Sequence, residues 1–174
     1  MPTNDKPFAP KTTAVVALAA LMALPLASIA ESLGKNEVSG SLSYNDIEDV
    51  STTSATLSYG RYLTDMHQVG VTAGYVDLEY DGASVDGTTL GAFYHLNIPL
   101  QGIVKPYLGV NVATLGGDLG DSYDFSYGAG AGVKIYAFEN AGINIGVAYQ
   151  KYDGKNDWDD ADGAAVNVGL MMRF

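Results

Sequence analysis

The sequence predicts an all-β fold, an eight-stranded antiparallel up-and-down transmembrane β-barrel preceded by a cleaved export segment. Three observations carry this expectation. Long segments alternate apolar and polar residues with a period of two, the mark of strands with one apolar face. One face of those strands is aliphatic, and the other is Ser, Thr, Gly and Asn. The connections between strands alternate between short, weakly charged turns and longer acidic stretches.

The first 30 residues stand apart. Residues 1–11 carry Lys6 and Lys11, residues 12–29 are an uncharged run rich in Ala, Leu and Val, and Ser28-Ile29-Ala30 puts small residues at both positions a signal peptidase reads. This is the pattern of a secretory signal peptide cut after Ala30. Pro25 and the short apolar run weigh against a retained membrane anchor. Residues 31–174 are then the barrel domain. Loss of Lys6, Lys11 and Asp5 changes the net charge from −11 to −12. That charge excludes nucleic acid as a partner. The chain has no cysteine, so an exported domain of this size needs stabilisation other than disulfides. A closed barrel in lipid, with every backbone group paired, supplies it.

The strands follow in order. The first, 36–45, sets Val38, Leu42 and Tyr44 against Glu37, Ser39, Ser41 and Ser43. The second, 52–62, sets Ala55, Leu57 and Tyr59 against Thr56 and Ser58. The third, 68–80, sets Val69, Val71, Ala73 and Tyr75 against Gly70, Thr72 and Gly74. The fourth, 88–98, sets Leu90, Ala92, Tyr94, Leu96 and Ile98 against Gly91, Phe93, His95 and Asn97. The fifth, 105–115, sets Leu108, Val110 and Val112 against Tyr107, Gly109, Asn111 and Ala113. The sixth, 123–136, sets Phe125, Tyr127, Ala129, Ala131, Val133 and Ile135 against Ser126, three glycines and Lys134. The seventh, 142–152, sets Ile143, Ile145, Val147 and Tyr149 against Asn144, Gly146, Ala148 and Gln150. The eighth, 163–174, sets Val166, Val168, Leu170, Met172 and Phe174 against Asn167, Gly169, Met171 and Arg173.

Which face meets which solvent follows from size. The small polar face fits a narrow, side-chain-filled lumen, and the aliphatic face fits lipid. A soluble periplasmic barrel or sandwich would bury the aliphatics and bind an apolar ligand between them. Strands of this length favour the membrane, because they cross a bilayer core when tilted, whereas soluble strands average ~5–6 residues. Residues 62–67, 99–104 and 137–141 form short turns, expected on the periplasmic side. Residues 46–51, 77–87, 116–122 and 153–162 form longer loops, expected outside the cell.

The segments YGRYLTDMHQVGVTAGY (59–75), KPYLGV (105–110), GAGAGVKIYAFENAGINIGVAYQ (128–150) and GLMMRF (169–174) resemble the eight-stranded outer-membrane β-barrel family, in its OmpX/Ail-like and OmpA membrane-domain-like forms. The resemblance implies a place in the bacterial outer membrane among its lipids and lipopolysaccharide. It implies that the terminal strand, with Val168, Leu170, Met172 and Phe174, is the signal read by the barrel-assembly machinery. It also implies adhesion or envelope integrity as the class of role.

Four groups of residues are candidates for function. Fifteen of the 20 acidic residues fall in the four long loops: Asp46, Glu48 and Asp49; Asp77, Glu79, Asp81 and Asp86; Asp118, Asp121 and Asp124; Asp153, Asp157, Asp159, Asp160 and Asp162. They point to an extracellular protein or a divalent cation as partner, with Asp157, Asp159, Asp160 and Asp162 the best-spaced ligands, or to a solvated charged rim. Glu37, Lys134 and Arg173 face the lumen near its periplasmic end, and closure of the barrel brings Glu37 toward Arg173, so an interior ion pair is expected. Tyr44, Tyr59, Tyr75, Tyr94, Tyr127, Tyr149 and Phe174 form an aromatic girdle on the lipid face. The two histidines, His67 and His95, lie toward the periplasmic end without a carboxylate to orient either ring. No catalytic site, metal site or cofactor is therefore expected. The expected protein is a non-enzymatic structural or surface-interaction barrel, with a narrow ion or small-solute pore and a lipid A-modifying enzyme as alternatives.

Overall fold

The computed structural model describes residues 35–47, 50–80, 83–155 and 160–174. The expected export segment at 1–30 lies outside the described residues, as do Glu48, Asp49, Asp81, Asp157 and Asp159. Eight strands run in chain order: β1 Asn36–Ile47, β2 Val50–Tyr62, β3 His67–Tyr80, β4 Ala83–Asn97, β5 Val104–Gly117, β6 Tyr123–Ile135, β7 Ala141–Gly154 and β8 Ala161–Arg173. Each pairs antiparallel with its neighbours, and β1 pairs with β8 to close the barrel. The closing register runs from Glu37↔Arg173 to Tyr44↔Val166. Reciprocal backbone bonds of 2.9 Å between Asn36 and Phe174 seal the seam at the short-turn end. No strand edge is left open, as lipid requires.

Exposure identifies the two faces. Leu90, Leu170, Val147, Val71 and Val166 are 55–66% exposed, whereas Gln68, Lys134, Ser126 and Glu37 are at most 5% exposed. The aliphatics therefore coat the outside and the polar residues fill the inside. This excludes the soluble alternative, whose aliphatics would be buried.

The strands are taller than the sequence pattern alone indicates. β4 begins at Ala83 rather than at 88, and β2 at Val50 rather than at 52. The described parts of two predicted loops, 46–47 with 50–51 and 77–80 with 83–87, are instead strand. The β3–β4 ladder reaches Tyr80↔Ala83, and the β1–β2 ladder reaches Ile47↔Val50. Above the bilayer both faces meet water, so polar side chains no longer mark a loop, while backbone pairing continues regardless of side-chain polarity. Ser84 Oγ donates to Asp77 Oδ1 across this hairpin at 3.0 Å.

The connection 116–122 holds a helical turn, α1, at Asp118–Ser122. It folds Leu119 inward to 1% exposure, against the site where Gly87 has no side chain. Gly117, at φ 74°, makes the bend into it. A bulge between Tyr123 and Ser126 then re-aims β6 at the same rim. Glycines make room inside the barrel. A methyl group on Gly132 would stand 2.6 Å from the Tyr107 ring, and one on Gly109 would stand 2.7 Å from His95.

Candidate functional site

The lumen is crossed by one buried polar network. Lys134, on β6, extends its ammonium across the barrel and donates to Glu37 Oε1 at 2.7 Å, Gln68 Oε1 at 2.8 Å and the Tyr62 hydroxyl at 3.0 Å. These satisfy all three donors of the ammonium. Glu37 is satisfied in turn. Its Oε1 also accepts from Gln68 Nε2 at 3.1 Å, and its Oε2 accepts from Tyr62 at 3.0 Å and Tyr136 at 3.2 Å. Lys134 is 1% exposed and Glu37 5%. Two charges this deep persist only when paired and fully hydrogen-bonded, and here they are. The network ties β1, β2 and β3 to β6 on the opposite wall.

Arg173 is the ladder partner of Glu37, yet the carboxylate meets Lys134. The Arg173 guanidinium lies over the rings of Tyr62, at 4.4 Å, and Tyr136, at 5.5 Å. Backbone adjacency brings the two residues side by side. Gln68, Tyr62 and Tyr136 complete the site and were not singled out by sequence, because a neutral inward polar residue looks like any other lumen residue.

Polar cavities lie on either side of this plug. Toward the long hairpins is a chamber of about 280 Å³ lined by hydroxyl and amide side chains, including Ser41, Thr56, Thr72, Asn111, Asn144 and Gln150. Toward the short turns is a vestibule of about 190 Å³ lined by Asp65, Asn97, Lys105, Tyr136 and Arg173, among others.

His95 borders the chamber. Its Nδ1 lies 3.3 Å from Gln68 Oε1. That oxygen can only accept, so Nδ1 carries the proton. The ring packs between Phe93 and Tyr107 at 4.5 and 4.6 Å. The Gln68 amide links it to the Glu37 carboxylate. His67 opens β3 and contacts the Tyr94 hydroxyl at 2.6 Å.

At the long-hairpin rim several described carboxylates have local partners. Asp160 meets Lys151 at 2.8 Å and accepts from the Gly154 amide at 3.2 Å. Asp124 meets Lys155 at 3.1 Å. Asp162 accepts from Tyr149, and Asp86 bonds Tyr75. The Asp160 carboxyl is held below the usual range, first by its bond to Lys151 and then by the Gly154 amide. Among the described residues no three His, Asp or Glu side chains converge on one point. Asp157 and Asp159 lie outside the described residues.

The tyrosines form two groups on the outer wall. Tyr44, Tyr75, Tyr127 and Tyr149 stand toward the long hairpins, and Tyr59 and Tyr94 toward the short turns. Tyr59 donates to Asn36 Oδ1 at 3.1 Å, and Tyr127 stacks on Phe125 at 5.9 Å. On β8, Val168, Leu170 and Met172 are 52, 62 and 45% exposed on the same outer face.

Solved structures share this architecture. Neisserial surface protein A superposes with a TM-score of 0.61 at 18% identity, over 83% of this chain and 100% of that one. The N-terminal β-barrel of Pseudomonas aeruginosa OprF gives 0.53 at 17%, over 81% and 99%. Yersinia pestis Ail gives 0.52 at 14%, over 81% and 99%. At these identities the likeness shows the fold. A search of curated proteins by sequence finds no match. The model of the outer membrane protein beta-barrel domain matches residues 13–174. With its closed eight-stranded barrel, polar lumen and aliphatic outer wall, the chain belongs to the outer membrane protein beta-barrel domain family and resides in the bacterial outer membrane.

Proposed function

We propose that this protein is a non-enzymatic, membrane-structural barrel that acts through its acidic long hairpins, by contact with an extracellular partner or with neighbouring lipopolysaccharide, and not through its lumen. The Lys134–Glu37 plug carries this reading. It spans the lumen with a fully satisfied network, and it leaves the exposed rim as the surface open to partners. In barrels of this class the short turns are periplasmic and the long connections extracellular. Both histidines then stand away from the outer leaflet, where lipid A chemistry would take place. The rim carboxylates already engaged by Lys151, Lys155, Tyr149 and Ser84 favour a solvated charged rim over a cation site.

The same reading has residues 1–30 removed on export, so that the mature chain starts at Glu31. It also has the outward stripe Val168, Leu170, Met172 and Phe174 engaging the barrel-assembly machinery. The test replaces residues 77–86 with a short neutral hairpin. The folded barrel should persist, and association with cells or with lipopolysaccharide should fall severalfold. Undiminished association would place the activity elsewhere. Mass spectrometry of lipid A with and without the protein should show no new species, and a new species would make the protein an enzyme.

The second reading, a narrow pore, is favoured by the two polar cavities on either side of the plug. In that case the plug would be the only barrier between them, and conductance separates the two readings.

A further inference from the structure

The short turns carry an unusual surface. Leu63, Met66, Leu100, Ile103 and Phe138 are 62, 39, 49, 61 and 75% exposed. Turns standing in water are ordinarily polar, because an exposed apolar tip gains nothing there.

Height explains the exception. At ~3.3 Å rise per residue and a tilt of ~40°, each residue adds ~2.5 Å of height, so an apolar band ~25 Å tall spans ~10 residues. On each strand that carries an upper tyrosine, that many residues leads to the short-turn rim. From Tyr75 down β3 the count reaches Asp65 and Met66. From Tyr127 along β6 and from Tyr149 back along β7 it arrives from both sides at Phe138. From Tyr44 down β1 about nine residues reach Lys35. Counted from the upper tyrosines, a band of that height has its lower edge at the turns.

Charge at this end has a matching sign. Lys35 and Arg61 are exposed, and Arg61 points outward between Asn36 and Val69. Its long side chain can run down the wall to the headgroups. Of the two acids in these turns, Asp65 lines the vestibule beside Lys105 and Arg173, and Glu139 is exposed. The opposite rim is strongly acidic.

We propose that the short turns are seated in the phospholipid headgroup layer of the inner leaflet, with Leu63, Ile103 and Phe138 inserted as apolar anchors and Lys35 and Arg61 contacting lipid phosphate. The occupant is anionic phospholipid. Apolar tips beside outward cations fit a negatively charged layer with hydrocarbon behind it, and the band height puts that layer there.

The chain has no cysteine, so single spin labels can be placed at Leu63→Cys, Ile103→Cys and Phe138→Cys, with Ser84→Cys as the water-exposed reference. The labelled barrels are reconstituted in vesicles of phosphatidylethanolamine and phosphatidylglycerol and checked for folding by heat-dependent mobility. The three turn labels should be several-fold more accessible to oxygen, relative to a water-soluble nickel chelate, than the Ser84 label. Turn labels that match the Ser84 label would overturn the proposal and leave the tips as a surface for a periplasmic protein. Because three independent sites are used, failure of one variant to fold leaves the test intact. Spin-labelled phosphatidylglycerol should also associate with the wild-type barrel at least twofold more strongly than spin-labelled phosphatidylcholine. Lys35→Gln/Arg61→Gln should lose that preference, and an unchanged preference would remove the two cations from the contact.

Discussion

Glu37 and Lys134 exist as ions inside a narrow barrel only because each is matched to the other and to neutral donors and acceptors. Removing one partner exposes the cost. Glu37→Gln leaves Lys134 buried without its counter-charge, and the folded barrel should lose about 3–5 kcal/mol. The expected readout is a lower temperature for conversion from the fast to the slow electrophoretic form in detergent. An unchanged transition would show that the network is not held by charge. At the rim, Asp160 is held by Lys151 and the Gly154 amide, so its carboxyl titrates below the ordinary aspartate value. A depressed folded value means that the contribution is present above the unfolded value of ~3.9 and is lost as pH falls through the folded one. The carboxyl carbon of Asp160, followed by NMR, should titrate below that of an unperturbed aspartate, and Lys151→Met should raise its midpoint. An ordinary midpoint insensitive to Lys151 would remove the contact.

At the scale of elements, pieces of two connections meet at the long-hairpin end. Lys155 ties them together. Its amide donates to Ser122 O at 2.9 Å, and its ammonium donates to Gly120 O at 2.7 Å and meets Asp124 at 3.1 Å. The helical turn α1 holds Leu119 in the mouth and depends on that tie. Lys155→Ala should therefore speed amide exchange across Asp118–Ser122 by about tenfold or more, the loss of ~1.4 kcal/mol or more in local opening, while exchange in β3 stays unchanged. Equal exchange in both proteins would contradict the tie. Strands were legible in the sequence wherever lipid enforces alternation, as in Ile143 to Tyr149. The upper ends of β2 and β4, at 50–51 and 83–87, were not, because above the bilayer polar residues pair as readily as valines would. α1 was hidden for a related reason. Five residues with two acids carry too little periodicity to separate a helical turn from a loop. In the site, Glu37, Lys134 and Arg173 were legible as inward charges at the same end. The contacts of Lys134 with Gln68 and Tyr62 were not, because ladder neighbours are set along the chain, whereas contacts across the lumen depend on barrel width.

The whole molecule is polarised along its axis. One rim is acidic and hydrogen-bonded to itself. The other is apolar with outward cations. The lumen between them is polar but divided by a plug that joins opposite walls. On the proposed reading the two rims, and not the lumen, are the interacting parts of the protein. A closed lumen is the claim from which the rest follows, and planar-bilayer recording of the folded barrel at neutral pH tests it directly. Silent bilayers, with incorporation verified by the heat-dependent shift of the recovered protein, are the predicted result. Discrete, reproducible unitary openings of the wild-type barrel would contradict it and would make the Lys134–Glu37 network a gate.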